Sequence, residues 1–308
     1  MLAFTSDTFV LPLPPKHRFP MAKYRRLRER VEADLPDVAL VPARPVSPEQ
    51  LALVHDAAYL DRVLGGRLDP KEVRVIGFPQ IPELPWRERH STGGTLDAAR
   101  AALHDGIAVN LAGGTHHASP GRGQGYCLFN DAAVALATLL HQGTIGRALV
   151  VDLDVHQGNG TADCLAHEPR AFTLSVHGAK NFPFHKAASD LDVPLPDGLT
   201  DADYLAEVDR ALRHALDAAR PELVVYNAGV DVFEGDKLGR LAVSADGVAR
   251  RDDLVFERCL QEQGIPVAVT MGGGYAPDVE QIVALHLRTI ERAAHALLQA
   301  QPRPSRRR

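Results

Sequence analysis

The sequence predicts a single α/β domain in which a mainly parallel β-sheet carries helices on both faces. Short apolar runs alternate along the chain with longer amphipathic stretches, the pattern of strand–helix–strand units. Apolar residues make up 45% and charged residues 24% of the 308 residues, a balance that suits one large core. We find no repeat or long linker, and we expect one domain over residues 1–300 followed by a basic, disordered tail over residues 301–308.

The predicted strands are short, nearly continuous apolar runs, as expected for strands buried on both faces. They cover residues 107–111, 148–153, 172–176, 223–227 and 267–270. The predicted helices cover residues 86–104, 131–142, 201–219, 247–263 and 278–298. Ligands of such sheets bind beyond the carboxyl ends of the strands, so functional residues are expected in the loops that follow these runs.

A proline-rich segment occupies residues 75–85 and contains three X-Pro pairs. Because the residue before a proline is disfavoured in the helical region, the segment is expected to be an extended surface loop. The alternative is that it forms the rim of a binding site.

The bulk properties exclude several function classes. A formal charge of −5 gives no sign of a nucleic-acid footprint. Three widely spaced cysteines, Cys127, Cys164 and Cys259, offer neither a disulfide framework nor a thiolate zinc site. Residues 1–15 lack the pattern of a signal peptide, and no apolar stretch reaches the ~18 residues of a membrane span. A soluble, cytoplasmic protein with no nucleic-acid or membrane partner is expected.

Acidic and imidazole side chains follow the run 148–153 at alternate positions. Asp152, Asp154 and His156 project to one side if the extended conformation persists. Buried carboxylates are costly without a compensating cation, so a divalent metal is the favoured interpretation and a polar turn the alternative. Asp231 follows the run 223–227 and supplies a third ligand, although a lone Asp there also suits a helix cap.

Two other strand ends carry groups suited to acid–base chemistry. His116 and His117 follow the run 107–111, and Tyr275 follows three glycines after the run 267–270. An imidazole can take a proton from an attacking water, and a phenol can donate to an oxyanion. The alternatives are a surface histidine pair and a tyrosine that packs over a glycine turn. Convergence on one sheet edge favours the catalytic interpretation.

Together these segments resemble the zinc-dependent histone deacetylase family, which includes bacterial acetoin-utilisation-type and acetylpolyamine amidohydrolases. The matching segments appear in the family's order and are residues 113–117, 125–131, 152–160, 227–231 and 272–275. Residues 156–160 and 234–239 look most like class IV, the histone deacetylase 11 type. The resemblance implies an arginase/deacetylase-like fold and suggests a bacterial member.

The resemblance also implies roles for individual residues. Asp154, His156 and Asp231 match the ligands of one zinc ion (Zn²⁺) per chain, and Tyr275 matches the tyrosine that polarises the substrate carbonyl. His116 and His117 match the tandem histidines, with Asp152 and Asn159 as their respective partners. The family often has Asp where this chain has Asn159. A neutral amide draws His117 less strongly toward the imidazolium form, so His117 is favoured as the proton shuttle and His116 as an electrostatic helper.

Further residues are implied at the acyl tunnel and at a structural ion. Tyr126 and Phe182 match the two aromatic tunnel positions, with Gly125 and Gly273 beside them. A potassium ion (K⁺) would use Asp152 and backbone oxygens of four residues. These are Asp154, His156, Ser175 and Val176. Ordinary core packing is the alternative for either aromatic.

The predicted reaction is hydrolysis of an Nε-acyl-lysine amide on a protein or peptide, and class IV resemblance suggests a long fatty acyl group. An acetylpolyamine or another small acylated amine is the alternative substrate. An arginase-type enzyme with two manganese ions would need Asp where this chain has Gly158. A catalytically silent acyl-lysine reader would be expected to lack a ligand, a histidine or the tyrosine, all of which are present.

Overall fold

Within the residues that the computed structural model describes, 1–7, 9–14 and 17–300, eight strands form one all-parallel sheet. The strand order is β2-β1-β3-β8-β7-β4-β5-β6. The strands are β1 Leu2–Thr5, β2 Ala39–Pro42, β3 Ile107–Asn110, β4 Ala148–Asp152, β5 Ala171–Gly178, β6 Leu191–Leu195, β7 Leu223–Asn227 and β8 Val267–Thr270. The predicted single α/β domain with a parallel sheet is therefore confirmed.

The helices flank this sheet on both faces. They are α1 Lys23–Asp34, α2 Pro48–Leu51, α3 Ala57–Leu64, α4 Pro70–Ile76, α5 Glu83–Asp105, α6 Asp131–His141, α7 Asn159–Leu165, α8 Asp201–Ala219, α9 Ala245–Phe256 and α10 Val279–Gln299. A π-helical turn, Glu257–Gln261, continues α9. Each of the five predicted helices exists: α8 has the predicted ends, and the other four differ from the prediction by one to three residues at an end when the π-helical turn is counted with α9.

Two hydrophobic cores lie on opposite faces of the sheet because side chains alternate along each strand. Leu149 and Val151 of β4 belong to the core that includes residues of α1, α8, α9 and α10. Ala148 and Val150 of the same strand belong to the core that includes residues of α5 and α6. Burying each large apolar side chain stabilises the fold by roughly 1.5–3 kcal/mol. The central strands are thus packed against helices on both faces, which holds the loops at their carboxyl ends in place.

The proline-rich segment 75–85 is only partly a loop, so this prediction was wrong at both ends. Helix α4 extends to Ile76, and α5 begins at Glu83 and contains Pro85 in its first turn. Proline is tolerated there because the first backbone N–H groups of a helix have no partner within it. The loop proper covers residues 77–82, and its Phe78 is buried.

The predicted basic tail, residues 301–308, lies outside the described residues. Among the described helices, none combines the length and apolar character needed to cross a membrane.

Candidate metal and catalytic site

The loops that carry the predicted site residues follow four neighbouring strands. Strands β3, β8, β7 and β4 are adjacent in the sheet and parallel, so their carboxyl ends meet at one edge. The tandem histidines follow β3, Tyr275 follows β8, Asp231 follows β7, and Asp154 and His156 follow β4. The fold therefore brings all of these residues to one edge of the sheet.

Asp154, His156 and Asp231 form a buried group whose ligand atoms all lie within 4.8 Å of one another. Nδ1 of His156 is 3.0 Å from Oδ1 of Asp154 and 3.1 Å from Oδ2 of Asp231. Backbone amides orient the carboxylates: Gly273 N donates to Asp154 Oδ2 at 2.8 Å, and Val155 N donates to Asp231 Oδ1 at 2.9 Å. The donor set of two carboxylates and one imidazole suits a catalytic zinc ion.

The electrostatics of this group also fit a cation. Burial by itself lowers the pKa of His156, but hydrogen bonds to Asp154 and Asp231 raise it to about 10. Without a metal, a proton on His156 therefore offsets part of the negative charge of the two buried carboxylates. A bound divalent ion would fulfil the same electrostatic requirement.

Gly273 is required by the close approach of the metal-binding carboxylates. A Cβ atom at this position would lie 2.0 Å from Oδ2 of Asp231 and 2.6 Å from Oδ2 of Asp154, far inside contact distance. The residue also lines the cavity beside the site, where it was expected as a tunnel residue. Any side chain here would push the two carboxylates apart.

His116 is paired with a carboxylate. Its Nδ1 lies 2.6 Å from Oδ2 of Asp152, and Asn227 Nδ2 donates to the other oxygen of Asp152 at 2.9 Å. Burial alone lowers the pKa of His116, but the charges of Asp152 and Asp154 raise it to about 9. The paired carboxylate therefore favours the protonated form of this imidazole in the metal-free protein.

His117 is paired with an amide instead. Its Nδ1–H donates to Oδ1 of Asn159 at 2.8 Å, which leaves Nε2 as a proton acceptor. Burial, followed by the neighbouring His116 and His156, holds the pKa of His117 well below its ordinary value of 6.5. This imidazole is neutral at neutral pH, as a general base must be.

The turn that presents both histidines is fixed by Asp131, a residue whose role the sequence did not reveal. Its carboxylate accepts hydrogen bonds from the backbone N–H groups of Gly114 (2.9 Å) and Thr115 (2.7 Å). The hydroxyls of Thr95 (2.6 Å) and Thr115 (2.7 Å) also donate to it. The buried carboxylate at the start of α6 thus supplies the hydrogen-bond acceptors that this turn, which belongs to no helix or strand, would otherwise lack.

Tyr275 lies beside the metal-binding group, with its ring centroid 6.4 Å from that of His156. Its backbone N–H donates to Oδ2 of Asp236 at 2.6 Å, which anchors the glycine-rich loop. Burial and the nearby Asp154 and Asp231 raise the pKa of the phenol well above its usual 10. The hydroxyl therefore stays protonated and can act as a hydrogen-bond donor.

Lys23 is a buried cation near Tyr275 that sequence reasoning missed. Its Nζ donates to Gly272 O at 3.0 Å and lies 5.8 Å from the centroid of the Tyr275 ring. Burial lowers the pKa of Lys23 to about 8. A signal was present, because Lys23, Leu27 and Val31 share the buried stripe of α1 at four-residue spacing.

A cavity adjoins the site and is lined by aromatic residues on one part of its wall. These include Phe19, Phe78, Tyr126 and Tyr275. The remaining wall is polar and includes Arg87 and Glu88, which form a buried ion pair that sequence reasoning missed. The Arg87 guanidinium lies 5.0 Å from the centroid of the Tyr24 ring. The cavity volume is about 30 Å³, room for about two water molecules.

The other expected tunnel residues lie beside His117. The Phe182 ring meets the His117 ring edge-on at 4.9 Å, and a Cβ at Gly125 would lie 2.8 Å from His117 Cδ2. Phe184 packs edge-on against Phe182 at 6.4 Å and is 83% exposed. Tyr126 packs instead with Phe19 and Phe78, at 5.1 and 5.5 Å.

The residues expected around a potassium ion lie on adjacent segments. Asp152 and Ser175 are paired across β4 and β5. Oδ1 of Asp152 accepts from Asp154 N at 3.2 Å, and Oγ of Ser175 accepts from Gly158 N at 3.3 Å. The ion itself, and the roles of Val176 and of the backbone oxygens, stay predictions.

Comparison with known proteins connects this geometry to a family. The family model of the histone deacetylase domain matches residues 17–290. An uncharacterised protein of Picosynechococcus sp. is 44% identical over 283 residues, which cover 90% of this chain and 93% of that protein. Histone deacetylase 2 of Arabidopsis thaliana is 32% identical over 96% of this chain and 79% of its own length.

Solved structures agree with these matches. The crystal structure of a histone deacetylase homologue complexed with SAHA superposes with a TM-score of 0.78 at 25% identity, covering 97% of this chain and 88% of that one. The homologue from Aquifex aeolicus gives 0.77 at 23% identity, with the same coverage, and supports the fold alone. The extent of the family match and the conserved architecture establish that this chain belongs to the histone deacetylase domain family.

Proposed function

We propose that this protein hydrolyses the amide bond of an Nε-acyl-lysine, using one zinc ion held by Asp154, His156 and Asp231. The observation that carries the proposal is the convergence of a buried, metal-compatible triad with a neutral imidazole and a protonated phenol beside a partly aromatic cavity. Family membership supports a deacetylase reaction in general. The zinc dependence and the lysine substrate are our inference.

The chain supplies the proton transfers that amide hydrolysis needs. A zinc ion in the triad would act as a Lewis acid toward the acyl carbonyl and lower the pKa of a water molecule. Nε2 of His117 accepts a proton from the attacking water and later donates it to the departing lysine amine. Tyr275 donates a hydrogen bond to the carbonyl oxygen as negative charge develops. His116, held by Asp152, contributes positive charge nearby.

For the acyl group we favour a short chain such as acetyl over the fatty chain that class IV resemblance suggests. Part of the cavity wall is the buried Arg87–Glu88 pair, and the free space is only about 30 Å³. A long alkyl chain would need an apolar pocket of several hundred Å³. The charged wall that this pair forms also offers little apolar surface for contact with a long alkyl chain.

Two rival readings find less support in this geometry. The second aspartate of a two-manganese site has no room, since a Cβ at Gly158 would lie 2.2 Å from Asp152 Oδ2. A silent acyl-lysine reader has no need of the paired histidines that lie beside the metal group. A small acylated amine remains the alternative substrate, because the proposed chemistry is the same.

Two further proposals accompany the activity. A structural potassium ion would lie between the segments of Asp152 and Ser175, which the β4–β5 pairing brings together. A reducing cytoplasmic location is supported by three cysteines that are all free.

The test is a panel of acyl-lysine peptides from acetyl to myristoyl, with N-acetylputrescine alongside. We expect a kcat/KM for acetyl-lysine at least about tenfold above that for myristoyl-lysine. We expect activity to vanish after chelation and to return with one equivalent of zinc, and SAHA to inhibit it. Hydrolysis of N-acetylputrescine alone would replace the lysine substrate by the polyamine, and no hydrolysis of any amide would overturn the proposal.

The control for this panel is the His117→Ala variant, loaded with zinc and checked for zinc content. It separates amide hydrolysis by this site from a contaminating hydrolase, which the substitution would not affect. Two equivalents of bound metal in the active wild type would revive the two-manganese alternative.

A further inference from the structure

A fully buried ion pair lies in the core behind the metal-binding loops. Arg251 and Asp252 are consecutive residues of α9, and neither side chain is exposed. Nε and Nη2 of Arg251 lie 3.0 and 2.8 Å from Oδ1 of Asp252. Burying two charges requires extensive compensation, and apolar side chains of similar volume often serve core stability equally well. Core stability alone therefore does not explain why a charged pair occupies this position.

The guanidinium contacts the backbone of both loops that carry metal-binding carboxylates. Nη1 of Arg251 donates to Gly229 O at 2.5 Å and approaches Leu153 O at 3.4 Å. Leu153 directly precedes Asp154, and Gly229 lies two residues before Asp231. A single planar group thus bridges the segment after β4 and the segment after β7.

The other side of the pair is anchored to two further elements. Oδ1 of Asp252 accepts from the Tyr226 hydroxyl of β7 at 2.5 Å, and Oδ2 accepts from the Thr289 hydroxyl of α10 at 2.7 Å. Asp252 thereby holds the guanidinium in one orientation. The network ties α9, α10 and β7 to the two loops.

We propose that Arg251 is a positioning residue that sets the separation of Asp154 and Asp231 for a divalent cation. The proposal rests on the metal site of the proposed function, but not on the substrate. Nη1 of the Arg251 guanidinium donates to Gly229 O and approaches Leu153 O from within the core, so a shift of the loop after β7 breaks a charge-assisted hydrogen bond and a shift of the loop after β4 loses the contact at Leu153 O. Arg251 acts through the backbone and contacts neither metal nor substrate.

The test compares zinc affinity in variants of the full chain. Arg251→Lys keeps the charge beside Asp252 but loses the planar fork, and Arg251→Met removes both. The matched control is Thr289→Val, which weakens the same network without touching Leu153 or Gly229. The zinc Kd of each purified apo-protein is measured by competition with a chromophoric chelator, and its Tm is measured in parallel.

We expect both Arg251 variants to raise the zinc Kd by about 10- to 100-fold, the range seen when groups that orient metal ligands are removed. We expect Thr289→Val to lower the Tm while its zinc Kd stays within about threefold of wild type. If Arg251→Met does not fold, Arg251→Lys decides the question, because it retains the charge that offsets Asp252.

Two results would overturn the inference. One is a zinc Kd for folded Arg251→Lys within threefold of wild type, and the other is an equal rise in the Thr289→Val control. Wild-type protein that binds zinc but hydrolyses no acyl amide would sink the proposed function and leave this inference testable. Wild-type protein that binds no zinc would overturn both the proposed function and the inference about Arg251.

Discussion

His116 and His117 are neighbours in the chain, and their ring centroids are 4.1 Å apart, yet their surroundings drive protonation in opposite directions. A carboxylate, Asp152, raises the pKa of His116 to about 9. An amide, Asn159, adds only a hydrogen bond, so burial and the nearby imidazoles keep the pKa of His117 well below 6.5. The hydrogen-bond partner of each ring, rather than its position in the chain, therefore determines which role the histidine can take.

The largest expected effect comes from removing the neutral member of the pair. His117→Ala should lower kcat by about 10⁴-fold, near the upper end of general acid–base contributions, because no other described group takes its proton-transfer role. His116→Ala should lower kcat by about 10²-fold, since it removes a helpful charge but not the proton carrier. Steady-state kinetics with zinc content measured on each sample tests the comparison.

Both variants are expected to keep one zinc per chain, which serves as the control. A His117→Ala enzyme that works near the wild-type rate would reverse the assignment of roles. Equal losses in the two variants would show that the pair acts as one unit.

Tyr275→Phe should have the next largest effect, about 10²- to 10³-fold in kcat, the usual cost of losing one oxyanion donor. The ring and its packing remain, so KM and zinc content should change little. Kinetics of this variant with the acetyl-lysine peptide provide the test, and unchanged zinc content and KM serve as the check of pocket integrity. An unchanged kcat would remove the phenol from the mechanism.

Five inner strands were predictable, whereas β1 and the two edge strands, β2 and β6, were not. Strands β3, β4, β5, β7 and β8 are buried runs of apolar residues, and that pattern is visible in the sequence. The edge strand β2, Ala39–Pro42, has an exposed residue at each end and contains a proline. Its identity as a strand depends on pairing with β1, which local sequence does not reveal.

In the site, likewise, residues that lie close together in the sequence could be predicted, whereas contacts between residues far apart in the chain could not. The triplet Asp152, Asp154 and His156 was readable from its place at the end of a buried strand, but the expected extended conformation does not persist: β4 ends at Asp152, and residues 154–156 form bends. The contact between Lys23 and Gly272 joins residues 249 apart, and the pattern of α1 alone does not say where its buried lysine points. The Arg251 network likewise depends on tertiary packing of helices against loops.

A smaller effect is expected from exchanging the histidine partners. Asn159→Asp gives His117 a carboxylate and should raise its pKa, so that less of the neutral base is present at pH 7. We expect the acid limb of the kcat/KM profile to move to higher pH and the rate at pH 7 to fall about three- to tenfold. The measurement is the full pH–rate profile with the acetyl-lysine peptide.

Asp152→Asn is the matched exchange on the other ring. It should lower the pKa of His116 and leave the acid limb in place, because His117 keeps its amide partner. A shift of the acid limb in Asp152→Asn, but not in Asn159→Asp, would assign the base to His116.

His55 extends the comparison to a buried ring whose partners are all backbone groups, and its effect on catalysis should be the smallest. Its Nδ1 faces Ser119 O at 3.2 Å, and its Nε2 accepts from Asn130 N at 3.0 Å. Burial lowers the pKa of His55 to about 4. Between pH 6.5 and 4, His55 is protonated in the unfolded chain but stays neutral in the folded protein. The free energy of unfolding therefore decreases as pH falls, by about 3 kcal/mol over this range.

His55→Gln removes this titration and should reduce the dependence of the unfolding free energy on pH. Urea unfolding at pH 7 and pH 5 measures it, and wild type should lose roughly 1–2 kcal/mol more than the variant between these values. At pH 7 both proteins should hydrolyse the acetyl-lysine peptide at similar rates, because His55 contacts none of the proposed catalytic groups. Equal losses would mean that the folded protein accepts the proton on His55, and that burial without a charged partner does not keep an imidazole neutral here.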